Sequence, residues 1–395
     1  MLKAFYFAYF VAFGIYSPYL NLYFKQQGLS GAQIGIINMI IPLVAMVIPP
    51  LAGQLADKSN QRRYLLAGMV IFSIPFLVML EVSHSFPWAV ALMLAFSILS
   101  SPVAPVADGV TLEMLGQNAN RYGSIRVWGS IGYAAAVFGI GKVLEVAGWG
   151  TVFALYSVMG LSAGVLALRL PERSGAQKGL PSGQEPPRLL IKPLLTNGRL
   201  ATFLVIAFLA RASATTYYNF FSIYLDNLGI RTGLIGLSWT IGVISEIAVV
   251  IFFSSWILEH IGPEVLYLAG LAGTALRWYL YSAVTSPGAI LFTQLLHGLT
   301  FAAFQIGAVS IVNELTPAGL KASGQSLLSA ITVGLAGVMG AFGGGLLYDM
   351  VGLRPLFALS GGIALIATLL FVLWASPQLR RIQPREPQPR EPRKM

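Results

Sequence analysis

Residues 31–63 read GAQIGIINMIIPLVAMVIPPLAGQLADKSNQRR, and the fold follows from the contrast between the two parts of that stretch. From Gly31 to Leu55 no residue is charged, whereas Asp57, Lys58, Arg62 and Arg63 crowd the last seven positions. A helix crosses the hydrocarbon core of a bilayer with about 20 mostly apolar residues. The first part is therefore a span, and the second is a polar turn between spans. The same alternation runs through the chain. Twelve segments qualify, roughly 4–25, 31–55, 63–82, 87–113, 122–146, 150–169, 198–225, 232–258, 264–284, 288–315, 321–348 and 354–375.

Composition agrees. Of 395 residues, 56% are hydrophobic and only 10% are charged, against about a quarter charged in soluble domains. The chain reads as an all-α membrane protein, with its N-terminus running straight into a retained first span. There is no cysteine, which excludes a disulfide framework and a thiolate metal site. The net charge of +10 belongs to topology rather than to nucleic acid. With the N-terminus inside, the cytoplasmic loops receive Lys3, Lys58, Arg62, Arg63, Arg121, Lys321, six basic residues between 169 and 199 and six in the tail. The outer loops receive Lys25, Lys142, Arg231 and Arg354. That asymmetry predicts both termini in the cytoplasm.

The organisation is two-fold. Tyr16, Tyr23, Gly28, Ile34 and Gly35 recur 201 positions later as Tyr217, Tyr224, Gly229, Ile235 and Gly236. Gly139, Gly141, Glu145 and Gly148 recur 204 positions later as Gly343, Gly345, Asp349 and Gly352. The expected plan is an N-terminal six-helix bundle over 1–169, a Pro- and Gly-rich cytoplasmic linker over 170–197, a C-terminal six-helix bundle over 198–376 and a disordered cytoplasmic tail over 377–395. Repeats of this kind place a substrate at the interface of the halves, near the midplane, and work by rocking one half against the other.

Five charges stand inside apolar runs: Asp108, Arg126, Arg211, Glu246 and Arg277. Each costs about 2.5–3.5 kcal/mol at bilayer depth on the insertion scale, so such groups are usually paired and functional. Asp108 and Arg126 lie at similar depth in successive antiparallel spans, as a substrate or gating pair or as a static structural one. Glu246 is the deepest carboxylate. Burial disfavours a carboxylate's charged form, which suits a proton carrier. Arg277 stays charged and is placed to stabilise deprotonated Glu246, whether in proton coupling or in a permanent salt bridge. Arg211 has no sequence-local acid, so it either grips a carboxylate ligand or shares Glu246. Two acids against three arginines leave a surplus of positive charge that favours an anionic cargo. His297 hydrogen-bonds substrate, relays protons or is structural. Tyr16, Tyr19, Tyr217, Tyr218, Asn219, Trp128 and Trp278 either line an aromatic-accepting cavity or pack. Glu113 reads as a cytoplasmic-end residue.

Six plus six helices with a long central loop resembles the major facilitator superfamily. Gly53-Gln54-Leu55-Ala56-Asp57-Lys58, followed by Arg62 and Arg63, is similar to its loop signature, which implies a gating loop with Gly53, Asp57, Lys58 and Arg62. A narrower set resembles the phenylpropionate-permease branch: Arg121-Tyr122-Gly123-Ser124-Ile125-Arg126-Val127-Trp128-Gly129, Tyr217-Tyr218, Gly242-Val243-Ile244-Ser245-Glu246, Leu276-Arg277-Trp278 and Gln294-Leu295-Leu296-His297-Gly298. Distantly, the eighteen-residue spacing of Asp108 and Arg126, with His297, is similar to lactose-permease-type symporters. The acid expected one turn after the histidine is Thr300, and the lysine expected one turn before it is Gln294.

These resemblances imply a secondary active transporter that carries a small, anionic, phenylpropionate-like aromatic acid with protons by alternating access. Proton coupling would fall to Glu246, Arg277 and Asp108. Substrate binding would fall to Arg126, Asp108, Arg211, Tyr217, Tyr218, Asn219, Trp128, His297 and Gln294. The alternatives are sugar or nucleoside symport and drug/proton antiport. Three histidines and no phosphate-binding loop speak against an enzyme or an ATP-driven pump. No metal or cofactor is expected beyond the proton gradient. The expected setting is a monomer in the bacterial cytoplasmic (inner) membrane.

Overall fold

The structure is a computed structural model that describes residues 1–58, 61–82, 85–171, 194, 196–253, 260 and 262–379. Every regular element among them is helical. The N-terminal half contains α1 (Leu2–Tyr16), α2 (Leu20–Gln26), α3 (Gly31–Lys58), α4 (Arg62–Val78), α5 (Phe86–Ser100), α6 (Val103–Leu115) and α7 (Tyr122–Leu168). The C-terminal half contains α8 (Gly198–Asn227), α9 (Thr232–Ala248), α10 (Pro263–Ala283), α11 (Pro287–Thr293), α12 (Leu295–Ala302), α13 (Ala308–Leu315), α14 (Lys321–Ser329), α15 (Ala336–Val351) and α16 (Leu353–Leu379). Nearly all of the expected linker and the tail from Arg380 lie outside the described residues. Residues 377–379, assigned to the tail, continue α16.

Nine helical stretches among the described residues are long and apolar enough to cross a bilayer. Twelve were expected, and the difference has local causes. The 47-residue α7 would run about 70 Å if straight, but Gly148 at φ 71° breaks it into two arms. Pro18 lies in the break between α1 and α2, and it cannot donate the hydrogen bond that would continue a helix. The segment 264–284 forms α10, which Arg277 and its polar neighbours make less apolar.

The repeat in the sequence has a conformational counterpart. Gly28 and Gly229 sit at φ 83° and 72°, and Gly148 and Gly352 at φ 71° and 80°, a region that glycine enters without steric penalty. Of the other repeated glycines, Gly35, Gly141, Gly236 and Gly345 set helix spacing, whereas nothing crowds Gly139 or Gly343. α3 crosses α15, and the α7 arm before Gly148 crosses α9. A Cβ at Gly35 would lie 2.6 Å from the Ala341 carbonyl oxygen, and one at Gly236 2.7 Å from that of Val137. Small residues permit this backbone approach.

At the same end of the molecule two carboxylates bridge the halves. Glu145 Oε1, at the end of the first α7 arm, accepts from the Gly233 N–H at 2.8 Å in the first turn of α9. Asp349, near the end of α15, accepts from the Gly31 and Ala32 N–H groups at 2.6 and 2.8 Å in the first turn of α3. Glu145 and Asp349 are repeat partners, and each caps a helix N-terminus, the positive end of its dipole, in the opposite half. Ser222 Oγ to the Pro18 carbonyl (2.5 Å) and Asn21 Nδ2 to the Asn219 carbonyl (2.9 Å) join the halves further in. The Thr240 hydroxyl also crosses between the halves, to the Ala134 carbonyl at 3.5 Å.

Candidate functional site

Arg277 is the centre of the site. It is 1% exposed in the middle of α10. Its Nη1 donates to Thr300 Oγ1 at 3.0 Å and lies 3.1 Å from His297 Nδ1. Its Nη2 donates to the Tyr281 hydroxyl at 3.2 Å and approaches Gln294 Oε1 at 3.4 Å. The faces of Tyr217 and Trp278 stand 4.9 and 5.1 Å from the guanidinium carbon. Helical spacing makes this cluster. Tyr281 is one turn beyond Arg277, and Gln294, His297 and Thr300 recur every three residues along the bend from α11 into α12. Gly298 lets that bend touch α9, because a Cβ there would collide with the Ser245 carbonyl.

A guanidinium only donates, so the His297 Nδ1 that faces it must carry the lone pair. The ring proton then sits on Nε2, which lies 3.9 Å from Glu246 Oε2. Gln294 is fully buried. Its Oε1 accepts from the Tyr217 hydroxyl at 3.0 Å and its Nε2 donates to the Tyr281 hydroxyl at 2.8 Å. Thus Glu246 meets His297, and His297 meets Arg277. The direct Glu246–Arg277 pair expected from the sequence is absent among the described residues. The basic side chain whose field reaches Glu246 is Arg126 of the other half.

Asp108 and Arg126 also differ from expectation, since no ion pair joins them among the described residues. Asp108 Oδ1 accepts from the Tyr6 hydroxyl at 2.6 Å. The Arg126 guanidinium lies over Phe10 at 4.0 Å and near the Tyr6 ring at 5.7 Å. Tyr122 lies within electrostatic range of both charges. Similar depth brings the two residues to one region, where each meets an aromatic residue of α1 rather than the other charge.

Arg211 stacks on Tyr218, 5.0 Å from the ring centre. It lines two cavities. One is a narrow cleft that also touches Arg277, Tyr217, Tyr218, His297 and Thr300. The other is roomier, opens between the halves and is lined by Asn38, Thr215, Tyr218 and Asn219. Among the described residues no acid pairs with Arg211.

Trp128 is not brought to this group. It is 39% exposed, lies under the Lys3 ammonium at 5.9 Å, and sits two helical positions from Arg126, on the opposite face. Tyr19 is buried and donates to the Val137 carbonyl, a packing role. Tyr16 lines a separate cavity with Tyr9, Phe96 and Tyr156. In the gating-loop motif, nothing crowds Gly53, and Arg62 donates to the Ala56 carbonyl and pairs with Glu113 of α6. The side chains of Asp57 and Lys58 lie outside the described residues. Sequence reasoning did not single out Tyr6, Tyr281 or Asn38. Tyr281 was signalled by its position one turn from Arg277, and Asn38 by being polar inside an apolar run.

The profile of the MFS_1 like family matches residues 1–359. The chain belongs to the MFS_1 like family. As a member it is a multi-pass membrane protein and a major facilitator secondary transporter, not an enzyme. This MFS_1 like protein is 30% identical over 365 residues to the uncharacterized transporter YwbF of Bacillus subtilis, covering 91% of this chain and 89% of that one. It is 27% identical to the maltose permease of Geobacillus stearothermophilus (94% and 93% covered). It is 25% identical to the probable 3-phenylpropionic acid transporter of Escherichia coli (78% and 80% covered), a relationship the sequence motifs had indicated. A crystal structure of the nucleoside transporter NupG, in a mutant form, superposes with a TM-score of 0.85 at 20% identity, covering 94% of this MFS_1 like chain and 98% of NupG. That match establishes the major facilitator fold.

Proposed function

We propose that this protein is a proton-coupled symporter of a small organic anion, an aromatic carboxylic acid of the phenylpropionate type. It works as a monomer through twelve spans, with both termini on the cytoplasmic side of a bacterial inner membrane. One observation carries the reading: Arg211 and Arg277 face a common cavity, and among the described residues neither is ion-paired to an acid. A carboxylate that enters there finds two guanidinium groups and aromatic walls. Charge-assisted, bidentate contacts to such a ligand are among the strongest polar interactions available.

Glu246 is the proton carrier in this reading. It lies between His297 of its own half and the field of Arg126 from the other half. Motion of one half against the other changes that surrounding. Asp108 and Tyr6 hold the N-terminal side of the site, and Gly53, Asp57, Lys58 and Arg62 gate the cytoplasmic end. The test is competition for binding by an aromatic acid, its neutral alcohol, a disaccharide and a nucleoside. The acid is expected to win in the native protein, and Arg211→Ala is expected to weaken the acid about tenfold or more while leaving the alcohol unchanged. Equal weakening of both would make Arg211 structural. Preference for the disaccharide would favour a cargo like that named for the maltose permease relative.

The joined end is the outer one under this topology, so the protein faces inward. The two carboxylate caps then act as outer latches. A carboxylate at a helix N-terminus contributes about 0.3–2 kcal/mol. Replacing both Glu145 by Gln and Asp349 by Asn is expected to raise outer opening roughly tenfold. The chain has no native cysteine, so Ala45→Cys gives a clean reporter of cavity access. Its labelling by an impermeant thiol reagent from outside should rise by that factor, and an unchanged rate would show that the latches do not hold the gate.

A further inference from the structure

Asn38 carries an acceptor that the fold leaves open to the inter-half cavity. The polarity of its amide is dictated by a chain of hydrogen bonds. The Asn219 carbonyl can only accept, and Asn21 Nδ2 lies 2.9 Å from it. Asn21 must therefore present its NH₂ group there and its Oδ1 on the other side. Asn38 Nδ2 lies 2.9 Å from that Oδ1 and 2.9 Å from the Ile34 carbonyl. Both N–H groups of Asn38 are thereby used. Its Oδ1 receives no hydrogen bond from any described residue, is not sealed off, and belongs to a side chain that lines the cavity shared with Arg211. The Thr215 hydroxyl, a donor on the α8 side of that cavity, is committed to the Arg211 carbonyl at 3.0 Å.

The cavity thus offers a cation on α8 and an unfilled acceptor on α3. A phenylpropionate without substituents satisfies only the first. We propose that Asn38 is a specificity-determining residue whose Oδ1 accepts from the cargo, and that the cargo is a carboxylic acid carrying a second group with a hydrogen-bond donor, a hydroxyl or an N–H. This rests on the anion reading above: Arg211 takes the carboxylate and Asn38 takes the donor. The arrangement also ties occupancy to the gate. Asn38 holds Asn21, and Asn21 holds the Asn219 carbonyl of the other half, so a ligand on Asn38 engages an inter-half hydrogen bond directly.

The experiment measures ligand-induced thermal stabilisation of the purified full-length protein with four compounds: 3-phenylpropionate, 3-(4-hydroxyphenyl)propionate and the two corresponding propanols. One neutral hydrogen bond corresponds to about three- to tenfold in affinity. The hydroxylated acid is expected to bind the native protein tighter than the plain acid by that factor. Asn38→Ala should erase the difference. Asn38→Asp, which keeps an acceptor oxygen and breaks the contact to Asn21 Oδ1, should retain it. Equal binding of the two acids to the native protein overturns the role of Asn38 and leaves the anion reading standing. Equal binding of each propanol and its acid overturns the anion reading, and the hydroxyl comparison within the propanols still tests Asn38. Uniform weakening of all four ligands in both variants makes Asn38 a structural clamp only, and stabilisation by none of the four overturns both ideas.

Discussion

An Arg277→Gln protein is expected to lose uptake by at least about 100-fold, a loss of roughly 2.7 kcal/mol in the productive complex, without losing thermal stability. The two halves of this expectation have one origin. Arg277 is a fully buried cation whose described partners are all neutral: an imidazole, an amide, two hydroxyls and aromatic faces. Burying an ion costs several kcal/mol after relaxation, and ring faces return about 2 kcal/mol or more when desolvated. No protein carboxylate among the described residues meets it in this state. Glutamine keeps a donor near Tyr281 and Thr300 and removes the uncompensated charge, so the melting temperature should hold or rise. Cargo loses one of its two cations. Retained uptake would remove Arg277 from the site. A lower melting temperature would show that the guanidinium is there for the fold.

Glu246→Gln is expected to abolish proton-driven accumulation and leave exchange of internal for external cargo intact. The amide has the shape of the protonated acid and cannot release a proton. His297 cannot replace it as carrier while Arg277 occupies its Nδ1 side at 3.1 Å, because protonation there would set two donors against each other. The His297 Nε2 proton remains available to position either form of residue 246. Counterflow and pH-driven uptake, measured on the same vesicles, separate the outcomes. Unchanged accumulation would sink the proton role of Glu246, and loss of both activities would assign Glu246 to cargo binding or folding.

Much of the architecture was legible in the sequence, because apolar length and charge placement are read in one dimension. The paired glycines at 28 and 229 and at 148 and 352 were visible as a repeat, and their shared backbone conformation explains it. The number of helical stretches was harder to read, because Gly148 bends one long helix and Pro18 breaks another. The five charges within apolar runs were found because bilayer depth makes charge costly. Their partners were not, because a pairing depends on the rotation of each helix about its axis, about 100° per residue. Asp108 and Arg126 reach similar depth, yet Asp108 takes Tyr6 of α1 and Arg126 takes Phe10 as its partner. Thr300 and Gln294, noted in the sequence as departures from a related pattern, are among the residues that receive Arg277. Trp128 was separable from Arg126 by helical spacing alone. Glu145 and Asp349 were seen as repeat partners but not as caps, since each acts on a helix of the opposite half.

The most direct measurement is uptake of labelled 3-(4-hydroxyphenyl)propionate into proteoliposomes under an imposed gradient, acidic outside. Protein-free vesicles and Glu246→Gln vesicles correct for diffusion of the protonated acid. Accumulation above both controls, collapsed by a protonophore, is expected. Accumulation equal to the Glu246→Gln vesicles, or pH-driven uptake of a neutral disaccharide in preference to the acid, would contradict proton-coupled anion symport.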